Sequence, residues 1–187
     1  MTDVVLDQRN TGHAFEGAYA MLNYIYDKLD YAESLIEDPE ANWESLGTFT
    51  SFPQQEFFPD ITERQWRNDG NFKDRDNGYL YVPNACGTAA KQCKLHFALH
   101  GCGGSPKGFA TNNGYNALGA MNDIIMVYPD TRCWDGPNGI DTDNYDTNYG
   151  IVPNAFKSIV DRVTESGDDS GLVLDTWLDE QQIADHD

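Results

Sequence analysis

The 187-residue chain is short of positive charge and has no long apolar run. Only 12 Lys and Arg stand against 31 Asp and Glu, a formal net charge of −19, so a phosphate backbone or an anionic membrane surface would repel it. Neither nucleic acid nor a membrane is expected as a partner. No stretch approaches the ~18 to 20 uninterrupted apolar residues that a membrane span needs. The opening Met1-Thr-Asp-Val-Val-Leu-Asp7 also lacks the basic and apolar regions of a secretory signal. The four cysteines, Cys86, Cys93, Cys102 and Cys133, include no C-x-x-C pair, which removes the commonest opening of a structural zinc site. No internal repeat is visible.

What is present suits one domain with a core: 40% hydrophobic and 12% aromatic residues. Cys86 and Cys93 bracket a short Gly-Thr-Ala-Ala turn between two apolar runs, which favours disulfides over free thiols and hence an oxidising compartment. The opening residues offer no export signal to match it.

Ala14, Ala18, Met21, Leu22, Ile25 and Leu29 recur at steps of three and four and predict a helix from Ala14 to about Tyr31, preceded by a strand-like Val4-Val5-Leu6. Residues 33–77 hold Pro39, Pro53 and Pro59 and no sustained period. They predict a long irregular excursion packed on a surface. Strands are expected over Tyr79–Val82, Leu95–Leu99 and Ile124–Tyr128, with a short helix over Asn116–Met121 and another from about Asn154 to Val163. Strand, turn, helix and strand is a βαβ rhythm, so the expected fold is α/β, with a mainly parallel sheet flanked by helices over residues 1–164. The tail, 165–187, has eight acidic residues and no Lys or Arg, and is expected as a loosely docked helix or as disorder.

The segment that points to chemistry is Leu95-His-Phe-Ala-Leu-His-Gly-Cys-Gly-Gly-Ser105, an apolar strand running into a glycine-rich turn. Such a turn at a strand end lets a backbone N–H face a reacting carbonyl and stabilise an oxyanion. Glycine permits the close approach and the φ values this requires.

Around it, Gly78-Tyr-Leu-Tyr-Val-Pro83, Cys86, Cys93, Lys94-Leu-His-Phe-Ala-Leu-His-Gly-Cys102, Gly114-Tyr-Asn116, Asn122-Asp-Ile-Ile-Met-Val-Tyr-Pro129 and Cys133-Trp-Asp135 follow in order. This run resembles the extracellular poly(3-hydroxybutyrate) depolymerases and their esterase relatives. Upstream, Gly12-His-Ala-Phe15 and the Ala/Tyr-rich run after it resemble that family's catalytic-histidine segment, as Gly47-Thr-Phe-Thr-Ser-Phe-Pro-Gln-Gln-Glu-Phe57 resembles its linking segment. The likeness covers roughly residues 11–164. His13 precedes the glycine-rich turn, an order that resembles the circularly permuted α/β-hydrolases of the family, where Ser and Asp come first, then His, then the turn.

The resemblance implies a secreted serine esterase with His13 as general base and the Cys102 backbone N–H as oxyanion donor. The Cys102 sulfur would be tied up, Cys133 being one candidate partner. Trp134 is implied as a contact for a neutral polyester or short-chain ester. After Cys133-Trp-Asp135 the chain departs from the family pattern, with Gly136-Pro-Asn-Gly-Ile-Asp-Thr-Asp143 in place of a second Trp. His96 and His100, alternating along one strand, are expected to hold turns by hydrogen bonds.

No metal or organic cofactor is required. Asp141-Thr-Asp-Asn-Tyr-Asp146 fails the EF-hand calcium template, with Tyr145 at the fifth position and no glycine at the sixth.

None of the seven serines lies in a G-x-S-x-G elbow; Gly103-Gly-Ser-Pro-Lys107 comes nearest. Only Asp3 and Asp7 precede His13. The chain thus reads as part of a permuted hydrolase without its nucleophile half, inactive by itself and able to self-associate through an exposed sheet edge. A non-catalytic binding or scaffold protein descended from a hydrolase is the alternative. A feruloyl or acetyl esterase relative is a weaker one.

Overall fold

The structure, a computed structural model, describes residues 13–30, 43–57, 62, 72, 75–86, 93–134, 150–164, 166–167 and 171–172. Five α-helices are formed there: α1 (His13–Tyr26), α2 (Trp43–Leu46), α3 (Pro106–Asn112), α4 (Tyr115–Asn122) and α5 (Ile151–Thr164). The strands are β1 (Gly47–Pro53), β2 (Asn77–Pro83), β3 (Lys94–Phe97), β4 (Ile124–Tyr128) and the two-residue β5 (Ser166–Gly167) and β6 (Gly171–Leu172).

The first four strands make one sheet in the order β1-β2-β4-β3. All five residues of β4 are buried, which is why it reads as an unbroken apolar run. Side chains alternate across a strand, so the sheet feeds two cores. Phe52, Leu80, Val82, Ile125 and Val127 meet Ala155 and Ile159 of α5 on one face. Tyr81, Ile124, Met126 and Tyr128 meet α1 through Ala18 and Leu22, α2 through Trp43, and α3 and α4 through Ala110, Ala117 and Leu118 on the other. The result is a three-layer α/β arrangement.

The sheet is mixed rather than mainly parallel. β3 and β4 run parallel, with Lys94 opposite Ile124, whereas β1/β2 and β2/β4 are antiparallel. The parallel pair is the one joined by a helical crossover, α3 and α4, long enough to return the chain to the same end of the sheet.

The excursion expected over 33–77 is corrected as well. It contributes β1, and Trp43, Phe52, Phe57 and Phe72 are core residues rather than a surface layer. Helix α1 stops at Tyr26, short of Tyr31, because Asp27 and Lys28 take left-handed backbone (φ 54° and 55°). Leu29 is still buried, its N–H held by Asn23 Oδ1 at 3.0 Å. The sequence reading did not foresee α3. Ser105 caps it, accepting from the Gly108 N–H, and Pro106 opens it. In the tail, β5 and β6 pair antiparallel. Val4–Leu6, the 141–146 loop and the rest of the tail lie outside the described residues.

Candidate functional site

The pairing of β3 with β4 extends one residue past the strand, Ala98 N–H donating to Val127 O at 2.9 Å. The chain then breaks away into the glycine-rich turn at the carboxyl ends of the two parallel strands. Gly103 has a φ of 71°, a conformation in which glycine is favoured. Its N–H donates to Arg132 O at 2.6 Å, and the Gly104 N–H donates to Gly101 O at 2.9 Å. A Cβ on Gly104 would lie 2.9 Å from Gly101 O and 3.0 Å from His100 Nδ1, whereas Gly101 has open space. The turn is therefore tight beneath and open at Gly101.

A disulfide between Cys102 and Cys133 ties the turn to the segment after β4. Trp134, the next residue, donates its Nε1–H to His100 O at 2.6 Å. Its ring lies between His100 and Phe156, centroids 5.4 and 5.7 Å away. The second disulfide, Cys86–Cys93, spans the short turn before β3. Disulfides form and persist in oxidising environments.

Behind the turn lies a polar cluster. The buried His100 ring places Nδ1 2.8 Å from Gly101 O and Nε2 3.2 Å from Asp130 Oδ1. Arg75 Nη1 donates to the same Asp130 oxygen at 2.5 Å and to Gly104 O at 2.9 Å. The wholly buried Gln54 clamps the Asp130 backbone from both sides, donating to its carbonyl at 2.6 Å and accepting from its N–H at 2.9 Å. Gln54 also donates to Arg75 O at 2.6 Å. Three loops, those after β1, β3 and β4, and the approach to β2 are joined in this way.

His96, one pleat back, stacks on Tyr115 (centroids 5.7 Å) and lies edge-on to Tyr26. Tyr26 Oη donates to Leu95 O at 3.0 Å and stands 3.2 Å from His96 Nδ1. The Tyr26 proton being committed to Leu95 O, the Nδ1–H tautomer completes the pair. Burial pulls the His96 imidazole below its usual value and pushes the Tyr26 and Tyr115 phenols above theirs.

His13 is the first residue of α1; its side chain lies outside what the structure describes. The direction of α1 is defined by its contacts. Tyr26 touches Leu95 near the start of β3, the Asp30 N–H just beyond the helix donates to Asn122 Oδ1 at the end of α4, and Met21 Sδ accepts from Tyr115 Oη at the start of α4. So α1 runs beside α4 and opposite to β3 and β4. At ~1.5 Å per residue, the eight residues from Met21 back to His13 carry the helix about 12 Å towards the end of the sheet that bears the turn.

The sequence singled out the turn, Cys102, Cys133, Trp134 and His100, and the structure gathers them at one place. It did not single out Gln54, Arg75 or Asp130, which meet across 21 to 76 residues of chain. Short-range spacing carries no mark of such contacts.

No family model matches the chain. Among curated proteins it is 36% identical over 163 residues, 80% of this chain and 29% of the relative, to a poly(3-hydroxybutyrate) depolymerase of Delftia acidovorans. It is 46% identical over 56 residues, 28% of this chain and 16% of the relative, to a polyhydroxybutyrate depolymerase of Talaromyces funiculosus. A solved PHB depolymerase variant complexed with an R3HB trimer superposes with a TM-score of 0.57 and 29% identity, over 79% of this chain and 47% of that one. The chain spans less than a third of the length of these curated relatives and about half of the solved one. Over what they share, sequence and fold agree, and across about four fifths of its length this chain is similar to the poly(3-hydroxybutyrate) depolymerases.

Proposed function

We propose that this chain carries the oxyanion turn and the general base of a secreted, circularly permuted serine esterase acting on a polyester or a short-chain ester, with Ser and Asp supplied from outside these 187 residues. The observation that carries the reading is the braced turn at the carboxyl ends of β3 and β4, with the His13 end of α1 directed towards the same end of the sheet. The two disulfides support an extracellular setting.

In the completed enzyme, His13 takes the serine hydroxyl proton as the oxygen adds to the ester carbonyl. The negative charge that forms on the carbonyl oxygen is held at the Cys102 backbone N–H. Collapse expels the alcohol, which takes the proton back from His13. Water then repeats the cycle on the acyl-serine, releasing the acid. Trp134 offers an apolar face beside the turn to a neutral ester chain.

The complementing segment joins at β3, one of the two edge strands of the four-stranded sheet among the described residues, β1 being the other. Leu99, just past β3, and Met21, Tyr24 and Ile25 on α1 are exposed apolar residues. A second copy of the chain would use the same edge in its absence.

The purified chain is expected to resist labelling by a serine-directed fluorophosphonate and to leave a short-chain nitrophenyl ester intact. Supplying a depolymerase segment that bears a G-x-S-x-G elbow, fused or in trans, is expected to give hydrolysis that His13→Ala lowers at least about 100-fold. Stoichiometric labelling of a serine in the chain alone, or hydrolysis indifferent to His13→Ala, overturns the assignment. No hydrolysis after complementation favours a non-catalytic binding protein instead.

A further inference from the structure

His100 presents both ring nitrogens to groups that only accept. Nδ1 faces the Gly101 carbonyl at 2.8 Å and Nε2 faces Asp130 Oδ1 at 3.2 Å, an oxygen that already accepts from the Arg75 guanidinium. A neutral imidazole has one N–H and one lone pair; only the doubly protonated ring donates at both positions. Among the described residues, the charges around the ring are Asp130 and, through it, Arg75, and the Trp134 ring lies beside it.

Arg75 is also bound to the other end of the turn, through Gly104 O, so the turn is gripped at Gly101 by His100 and at Gly104 by Arg75, with Asp130 joining the two grips. A buried ion pair of this kind adds little net stability, since desolvation offsets the attraction, but it fixes geometry. Gln54 keeps the Asp130 backbone from moving in response.

We propose that Arg75 and Asp130 are positioning residues for the Gly101–Gly104 turn, acting through the ring of His100. The inference rests on reading the turn as the oxyanion site, and extends that reading to the residues that set its shape.

The test uses the 187-residue chain and NMR. In Asp130→Asn and in Arg75→Gln the Gly101, Gly103 and Gly104 amides are expected to shift, while Leu80 and Val127 in the sheet stay still. Glycine amides unchanged in both variants overturn the proposal. Both readouts follow the turn and not the chemistry, so they stand or fall apart from the esterase reading. In the complemented enzyme, Arg75→Gln is expected to lower kcat at least tenfold with KM within twofold; a loss confined to KM counts against positioning.

Discussion

Gly104 and Gly101 stand three residues apart in the same turn and differ in what a methyl group would meet. At Gly104 the added Cβ would press on a backbone oxygen and on the His100 ring, while at Gly101 it meets nothing. Gly104→Ala is therefore expected to lose about 1 to 3 kcal/mol of stability by overpacking, and Gly101→Ala to stay within about 0.5 kcal/mol. Urea unfolding followed by tryptophan fluorescence separates the two. Equal losses would mean that the turn is not braced from beneath. His96 carries a pH dependence of its own. Its folded-state value lies below the unfolded one through burial, so the unfolded chain binds the proton more readily. Its contribution is present above the unfolded value, near 6.5, and is lost as pH falls from there through the folded value. A Tm that falls over this window in the wild type and is flatter in His96→Gln checks the sign. The motif pattern exposed His100 and Cys102 within one glycine-rich run, and Trp134 through the separate Cys133-Trp-Asp135 segment. Asp130, which meets the His100 ring, lies 30 residues away from it and in no motif or periodicity.

Among the elements, legibility followed burial. The strand β4 was plain from sequence because both its faces are covered, and α5 because its apolar residues keep to one side. The strand β1 was hidden: in Gly47-Thr-Phe-Thr-Ser-Phe-Pro53 the short polar residues and the closing proline look like loop, and only pairing with β2 along its whole length makes it a strand. Strand direction was misjudged for a related reason. The βαβ rhythm applies to β3 and β4 alone, and nothing local in β1 or β2 states which way each runs. The two disulfides act at this scale, since each closes a segment between elements. Cys86–Cys93 closes 7 residues and Cys102–Cys133 closes 31. Chain entropy then gives about 2 kcal/mol for the shorter loop and about 3 to 4 kcal/mol for the longer one. Replacing Cys102 and Cys133 together by Ala is expected to lower the urea midpoint more than replacing Cys86 and Cys93. The reverse order would place the weight on local geometry instead of loop closure.

For the whole molecule the governing quantity is charge. The excess of 19 negative charges is not neutralised inside the fold: among the described residues Asp130 is the one buried carboxylate, already paired with Arg75. The remainder repel one another across the surface, and folding brings them closer than they are in the extended chain. Salt screens such repulsion, the Debye length shrinking from ~30 Å at 0.01 M to ~10 Å at 0.1 M and ~3 Å at 1 M. Buried pairs such as Arg75–Asp130 are screened far less, so added salt weakens little that stabilises the fold and relieves much that opposes it. The Tm is therefore expected to rise between about 0.01 and 0.3 M NaCl by several degrees, about 2 to 4 °C for each kcal/mol relieved in a chain of this size. Screening saturates once the Debye length falls below the spacing of neighbouring charges, so the rise should level off beyond that range with NaCl. A Tm that is flat or falls at low ionic strength would show that attractive ion pairs outweigh the surplus charge. The same screening removes the barrier between two like-charged copies. Sedimentation across the same salt series therefore reports whether the exposed apolar residues draw copies together once repulsion is gone.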